Sequence, residues 1–436
     1  MNTVPLFVNH YQTKLQLDNP FFDVFLVAGF VVLFFSTLRK SVNDNTLSFL
    51  QTNQMKGLAI ILIVFNHLCY YTEPPPSLYG VWSEAGMVGV AIFLILSGYG
   101  LCISMQHKGT KGFFLKRVTR ILIPMIFSLG LLVLLKIILL KENEQNILIE
   151  IPKILFFIHS LDGKNWFIIF ILFWYFILYL TFTFGLYNHH KLIFLFLVAL
   201  AIISIPQTLH LAKANAFSFP FGCWMGLNSS LIKNKINKLI HQKILSSIVC
   251  ILGGVLLSVF LFNASEMFHF QAYSAILLIL IVAVTLSGLY MIYFVNFIKR
   301  KLNLSPELIA GTLVVSILYL NYLSMVFDLA IEEPFNIYWC FMRNIFHISI
   351  ALTLLLLISL MTKFQLYSLF LCFLGDISFE LFLTHNTFLI HFDFILFRGP
   401  VAITFVIYFL VVCSLSLALK RLSAKTLSTL SLASQK

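Results

Sequence analysis

WFIIFILFWYFILYLTFTFG, residues Trp166 to Gly185, runs for twenty residues without one acidic or basic side chain. At 1.5 Å of rise per residue an α-helix of that length covers about 30 Å, the thickness of a bilayer's hydrocarbon core. Polar and apolar residues do not alternate in it, as they would in a lipid-facing barrel strand. A helix is the remaining way for such a segment to satisfy its own backbone hydrogen bonds in lipid. Similar runs recur along the chain. The pattern predicts an all-α, polytopic transmembrane bundle of about thirteen spans (range 11–13), near residues 21–38, 57–72, 85–103, 121–140, 166–185, 192–205, 217–232, 244–262, 272–298, 306–327, 340–361, 368–390 and 400–419. The runs at 192–205 and 217–232 are short enough to be re-entrant.

Composition agrees. Of 436 residues, 60% are hydrophobic, 16% aromatic and only 11% charged. Mean hydropathy is +0.96. A soluble domain carries about 25% charged residues, so a soluble enzyme, a disordered chain and a nucleic-acid-binding domain are all excluded. The net charge of +12 comes from short clusters between apolar runs and forms no basic-aromatic groove. Seven cysteines, an odd number without a CxxC pair, give neither a disulfide framework nor a zinc site, and no metal is expected.

The clusters orient the bundle. Arg39, Lys40 and Lys56, then Lys108 to Arg120, Lys191, Lys233 to Lys243, Lys299 to Lys301, Lys363 and the tail from Lys420 fall on one side of the thirteen spans. Glu73, Glu84, Glu142 to Asp162, Glu266 and Asp328 to Glu333 fall on the other. The positive-inside rule puts the N-terminus outside and the C-terminus in the cytoplasm. Three parts follow: an N-terminal extension with one helix (1–52), a membrane domain (53–420) and a short cytoplasmic tail (421–436).

Ionisable groups inside apolar spans are costly and mark function by default. Lys56 and His67 are eleven residues apart, about 1,100° of helical turn, so they share one stripe about 16 Å apart. Lys56 then marks the cytoplasmic mouth and His67 a site near mid-membrane or a little beyond it. A neutral imidazole there suits proton removal from a hydroxyl. The competing reading is a structural histidine bonded to a neighbouring helix. Arg117 and Arg120, at i and i+3, point the same way, and paired guanidinium forks suit phosphate oxygens. The competing reading there is topogenic charge. Gly86, Gly89, Gly98 and Gly100 with Ser97 give the 85–103 span a thin side for close helix contact. Arg343, His347, Glu380 and His385 are interior-facing groups that line a cavity or pair with each other.

Lys56 with His67, Phe93 to Tyr99 around Ser97-Gly98, Arg117 and Arg120 before Pro124, and Leu374 to His385 stand in the order and spacing found in membrane acyltransferase family 3, which the chain resembles over about residues 53–420. The resemblance implies an integral-membrane O-acyltransferase of the cell (cytoplasmic, inner) membrane. It would move an acyl group, acetyl favoured, from cytoplasmic acyl-CoA to a sugar hydroxyl of a surface glycan or its lipid-linked precursor. His67 is then the catalytic base, and Lys56, Arg117 and Arg120 bind the CoA phosphates. Two departures stand out: Lys56 replaces the usual arginine, and Ile171 occupies a place where many members carry glutamate. The rival class is a transporter or flippase of a glycan or lipid intermediate that makes no bond.

Overall fold

The computed structural model describes residues 15–16, 21–41, 47–73, 79–135, 165–185, 187–204, 213–241, 337–363, 365–387 and 399–433, with a few isolated positions beside them. The spans expected at 244–262, 272–298 and 306–327, the acidic loop 141–164, and the charges at Glu266, Lys299 to Lys301 and Asp328 to Glu333 lie outside the described residues.

In chain order the elements are β1 (Leu15–Gln16), α1 (Phe22–Ser36), β2 (Leu38–Lys40), α2 (Phe49–Tyr70), β3 (Thr72–Glu73), α3 (Tyr79–Lys108), α4 (Phe113–Leu135), α5 (Asn165–Thr183) and α6 (Asn188–Ser204). After a 3-10 turn (Lys213–Asn215) come α7 (Ser218–Leu227), α8 (Ser229–His241), α9 (Ile337–Lys363), β4 (Leu366–Ser368), α10 (Leu369–Asp376), α11 (Ser378–Asn386) and α12 (Val401–Ala433). The strands are two short ribbons: β1 runs parallel to β3, and β2 antiparallel to β4, pairing Leu38 with Ser368.

Four unbroken helices are long and apolar enough to cross a membrane: Glu84–Lys108, Phe113–Leu135, Trp166–Thr183 and Val401–Thr429. The bent pair of α10 and α11 makes a fifth candidate, and α1, α6 and Arg343–Ser359 are shorter apolar helices. Among the described residues the spans are therefore fewer than the sequence pattern suggested, for identifiable reasons. The 368–390 segment is not straight, because its halves meet at 69° around Ile377. The 217–232 segment breaks at Asn228, and α8 beyond the break carries lysines and apolar residues on opposing faces. Residues 421–433 are not an extended tail, since α12 continues through them.

The long α2 is the central helix, yet it is not among the four apolar spans. Gln51, Asn53, Gln54 and Asn66 are buried in it and lower its hydropathy. Each repays its desolvation with a hydrogen bond. The Gln54 carbonyl accepts from the Ser368 amide at 2.8 Å, the Asn53 amide donates to the Cys372 carbonyl at 2.9 Å, and the Asn66 amide donates to the Trp82 carbonyl at 2.6 Å. Ser48 starts the helix by accepting from the Gln51 amide.

Contact with α10 is at backbone distance: a methyl group on Gly57 would strike the Leu371 carbonyl, and one on Gly375 the Asn53 carbonyl. On the other side Gly86 and Gly89 admit α2 to α3, and Gly98 meets Phe219 of α7. Gly100 does not belong to this thin side, for it faces open space. The peripheral helices α4 and α12 expose Ile126, Leu134, Ile403 and Leu410, apolar groups suited to lipid.

Helix α1 is tied into the bundle rather than appended to it. Asp23, at the edge of the first expected span (21–38), is fully buried and accepts from the Trp82 indole at 3.0 Å. Phe30 adds edge-on contacts to Phe65 of α2 and Phe409 of α12.

Candidate functional site

Two different environments occupy the two ends of α2. At the Phe49 end Lys56 is half-buried and lies within electrostatic reach of Asp376, Arg117 and Lys420. The Lys420 ammonium meets the Asp376 carboxylate at 3.1 Å, and Asn53 donates to the other oxygen at 3.4 Å. Asp376 closes α10 at the bend, so the broken helix delivers its carboxylate to this group of cations. Arg117 sits on the first turns of α4, half-buried, with its guanidinium 5.6 Å above the Phe113 ring. Arg120 is beside it and exposed. The structure therefore brings Lys56 and Arg117 to one mouth, with Arg120 on its rim. Four cations, Lys56, Arg117, Arg120 and Lys420, outnumber the carboxylates Asp376 and Glu380 and leave an excess of positive charge able to receive phosphate oxygens.

Arg117 also lies near the buried phenol of Tyr175, which is hydrogen-bonded to Ser97. That chain of contacts joins the Ser-Gly element of α3 to the paired arginines through α5. Ile171 is buried one turn before Tyr175 on the same helix face, so α5 presents a phenol near the place where the glutamate is missing.

The other end is drier. His67 lies in the last turn of α2, closer to the end of its helix than the mid-membrane expectation, and is half-buried. Its Nδ1 is 2.8 Å from Nε2 of His385 on α11, and the rings stack with 11° between their planes. His385 is fully buried, and its Nδ1 is 2.9 Å from the Leu381 carbonyl. Phe382 packs beside His385 and touches Phe167 of α5, which in turn meets Phe93 of α3. Phe382 thus covers His385, and Phe167 and Phe93 extend the aromatic contacts from α11 to α5 and α3.

Arg343 and His347 do not join that pair or each other. Both engage Glu84, a residue that the sequence placed in an outer loop but that α3 carries inward. Arg343 pairs with one carboxylate oxygen, and His347 Nε2 lies 3.0 Å from the other. The far nitrogen of His347 is 3.0 Å from the Ala214 carbonyl. Asn344 accepts from the Phe217 amide at 2.8 Å. The cluster fastens α9 to α3 and to the turn before α7. Glu380 is a buried group on α11 within electrostatic reach of Lys420 and Asp376 at the Lys56 mouth. His391 and Asp393 lie outside the described residues.

Sequence reasoning named His385 without a partner and passed over Asp376, Lys420 and Tyr175 as site residues. Asp376 had a readable signal, a carboxylate next to Gly375 within an apolar run. Lys420 and Tyr175 had none, since each acts through a contact made far along the chain.

The sequence pattern of the acyltransferase domain of acyltransferase family 3 matches residues 50–302. The chain belongs to acyltransferase family 3. The matched stretch contains Lys56, His67, Ser97, Arg117 and Arg120, whereas the Leu374 to His385 element lies beyond it and joins the family region in space, against α2. No curated protein and no solved structure matches the chain. Family membership makes this an acyltransferase with membrane-protein character, and both ends of α2 belong to its acyltransferase region.

Proposed function

We propose that the protein is an integral-membrane O-acyltransferase that takes an acyl group, acetyl favoured, from cytoplasmic acyl-CoA. It passes the group to a sugar hydroxyl of a surface glycan or its lipid-linked precursor. The observation that carries this reading is that one rigid helix bears a phosphate-suited cation at one end and an imidazole at the other. Arg117, Arg120 and Lys56 hold the CoA phosphates at the mouth. The pantetheine arm carries the thioester along α2 toward His67. His67 removes the proton from the acceptor hydroxyl as its oxygen attacks the thioester carbonyl, and CoA leaves as the thiol after taking up a proton.

The sidedness of the reading receives support from the ribbons. β2 and β4 join two segments expected in the cytoplasm, and β1 and β3 join two expected outside. The acidic loops on the outer side favour a neutral sugar over a strongly anionic acceptor.

The test is acyl-CoA binding and turnover by the purified protein in lipid nanodiscs, using labelled acetyl-CoA and longer acyl-CoAs. Wild type binds saturably and turns over. His67→Ala binds without turnover, and Arg117→Ala/Arg120→Ala binds about 100-fold more weakly. Folded wild-type protein that binds no acyl-CoA sinks the donor assignment and moves the reading to transport.

A further inference from the structure

The carbonyl of Leu381 can only accept a hydrogen bond. With both imidazoles neutral, that single fact fixes every proton in the pair. His385 Nδ1, 2.9 Å from that oxygen, carries hydrogen and donates. His385 Nε2 is then an acceptor, so His67 Nδ1, 2.8 Å away, carries hydrogen and donates to it. The lone pair of His67 is left on Nε2. We propose that His385 is a positioning residue that holds His67 in the tautomer whose basic nitrogen is Nε2, and that it does so as a neutral acceptor in place of the more usual carboxylate.

This inference deepens the acyltransferase reading and rests on it for its catalytic meaning, although the tautomer itself is a property of the resting protein. The arrangement is held from several directions. The Tyr408 hydroxyl donates to the His385 carbonyl at 2.5 Å. Thr384 meets Ser416 of α12 at 2.9 Å, and Phe382 covers the ring. Helix α11 therefore presents His385 in one orientation, with its ring plane within 11° of that of His67, as an in-plane hydrogen bond between the two rings requires. An unconstrained neutral histidine favours hydrogen on Nε2, the nitrogen that this pair keeps bare of it. The bias is thus opposite to the intrinsic one, and only a partner acceptor at Nδ1 produces it. When Nε2 takes the proton of an acceptor hydroxyl, the positive charge spreads over a ring whose Nδ1–H already points at an acceptor, which strengthens that hydrogen bond.

The experiment uses the full chain, labelled with 15N-histidine in lipid nanodiscs, with His67 assigned by difference against His67→Gln. Solid-state spectra of wild type are expected to show His67 Nδ1 protonated and Nε2 unprotonated. His385→Leu is expected to lose that bias, whereas His385→Gln, whose amide oxygen accepts at a similar place, keeps most of it. In acetyl-CoA turnover His385→Leu lowers kcat about 10- to 100-fold with KM for acetyl-CoA unchanged, and His385→Gln recovers most of the loss. A packing role alone would lower thermal stability in both variants and leave the His67 spectrum unmoved. Hydrogen on His67 Nε2 in wild type overturns the proposal, as does an unchanged His67 spectrum in a folded His385→Leu protein. Wild type that has the tautomer but no acyl-CoA turnover keeps the positioning role and overturns the acyltransferase reading instead.

Discussion

The surroundings of Lys56 and of His67, eleven residues apart on α2, are built by different means. At the Lys56 end charge is spread over Arg117, Arg120, Lys420 and Asp376, on long side chains partly open to solvent. At the His67 end the imidazole meets one buried partner, His385, which a helix carbonyl and the Phe382 ring hold in turn. The first arrangement tolerates imprecision, because a set of cations attracts phosphate wherever each one rests. The second depends on individual hydrogen positions. Binding of a flexible polyanion and removal of one proton make these separate demands, and the helix keeps them about 16 Å apart.

Substitutions that strike one end and spare the other test the contrast. The largest effect is expected from His67→Ala, a fall of about 10²- to 10⁴-fold in acyl transfer with acyl-CoA affinity retained. A drop in affinity of equal size, read by equilibrium binding, would merge the two ends into one site. Arg117→Ala/Arg120→Ala is expected to weaken acyl-CoA about 100-fold, the worth of two charge-assisted hydrogen bonds that do not fully add. Its turnover at saturating donor should stay near wild type.

Glu84→Gln belongs to neither end. It is expected to cost about 3 kcal/mol of stability, since it leaves Arg343 and His347 without their carboxylate in a mostly buried setting. Thermal unfolding in nanodiscs reads that loss, and acyl-CoA affinity is expected to be unmoved. The smallest change is Lys420→Ala. Its pair with Asp376 is 35% and 54% exposed, so stability shifts by about 0–1 kcal/mol and acyl-CoA affinity by a few-fold.

How much of this was legible before folding follows from the range of the interactions. Helical character, the shared stripe of Lys56 and His67, and the pairing of Arg117 with Arg120 depend on spacing within one helix, and spacing is written in the chain. The thin side of α3 was readable for Gly86, Gly89 and Gly98 because small residues in an apolar run have few other uses. Gly100 carried the same signal but faces away. The partners were not readable. Glu84 finds Arg343 259 positions later, and His67 finds His385 318 positions later.

The bend at Ile377 was hidden as well, since hydropathy does not register direction. The apolar run at 57–72 signalled α2 only in part; its extension back to Phe49 ran against hydropathy, because polar side chains that find partners inside the bundle look, in sequence, like side chains that belong in water. Asp23 misled in the same way. Its carboxylate reads as the polar edge of a span, while the Trp82 indole makes it an interior group.

The broken helix α10–α11 has a consequence for how this protein tolerates insertion and deletion. Its first half ends on Asp376 at one end of α2, and its second half carries His385 to the other. Nine positions of sequence separate them, alongside the eleven between Lys56 and His67. Losing one residue from α11 would swing His385 by 100° and draw it back 1.5 Å, far from the 2.8 Å contact. Many of the apolar residues in between could be exchanged for others of similar bulk without such a swing. In this segment the count of residues constrains the site more tightly than most of their identities do.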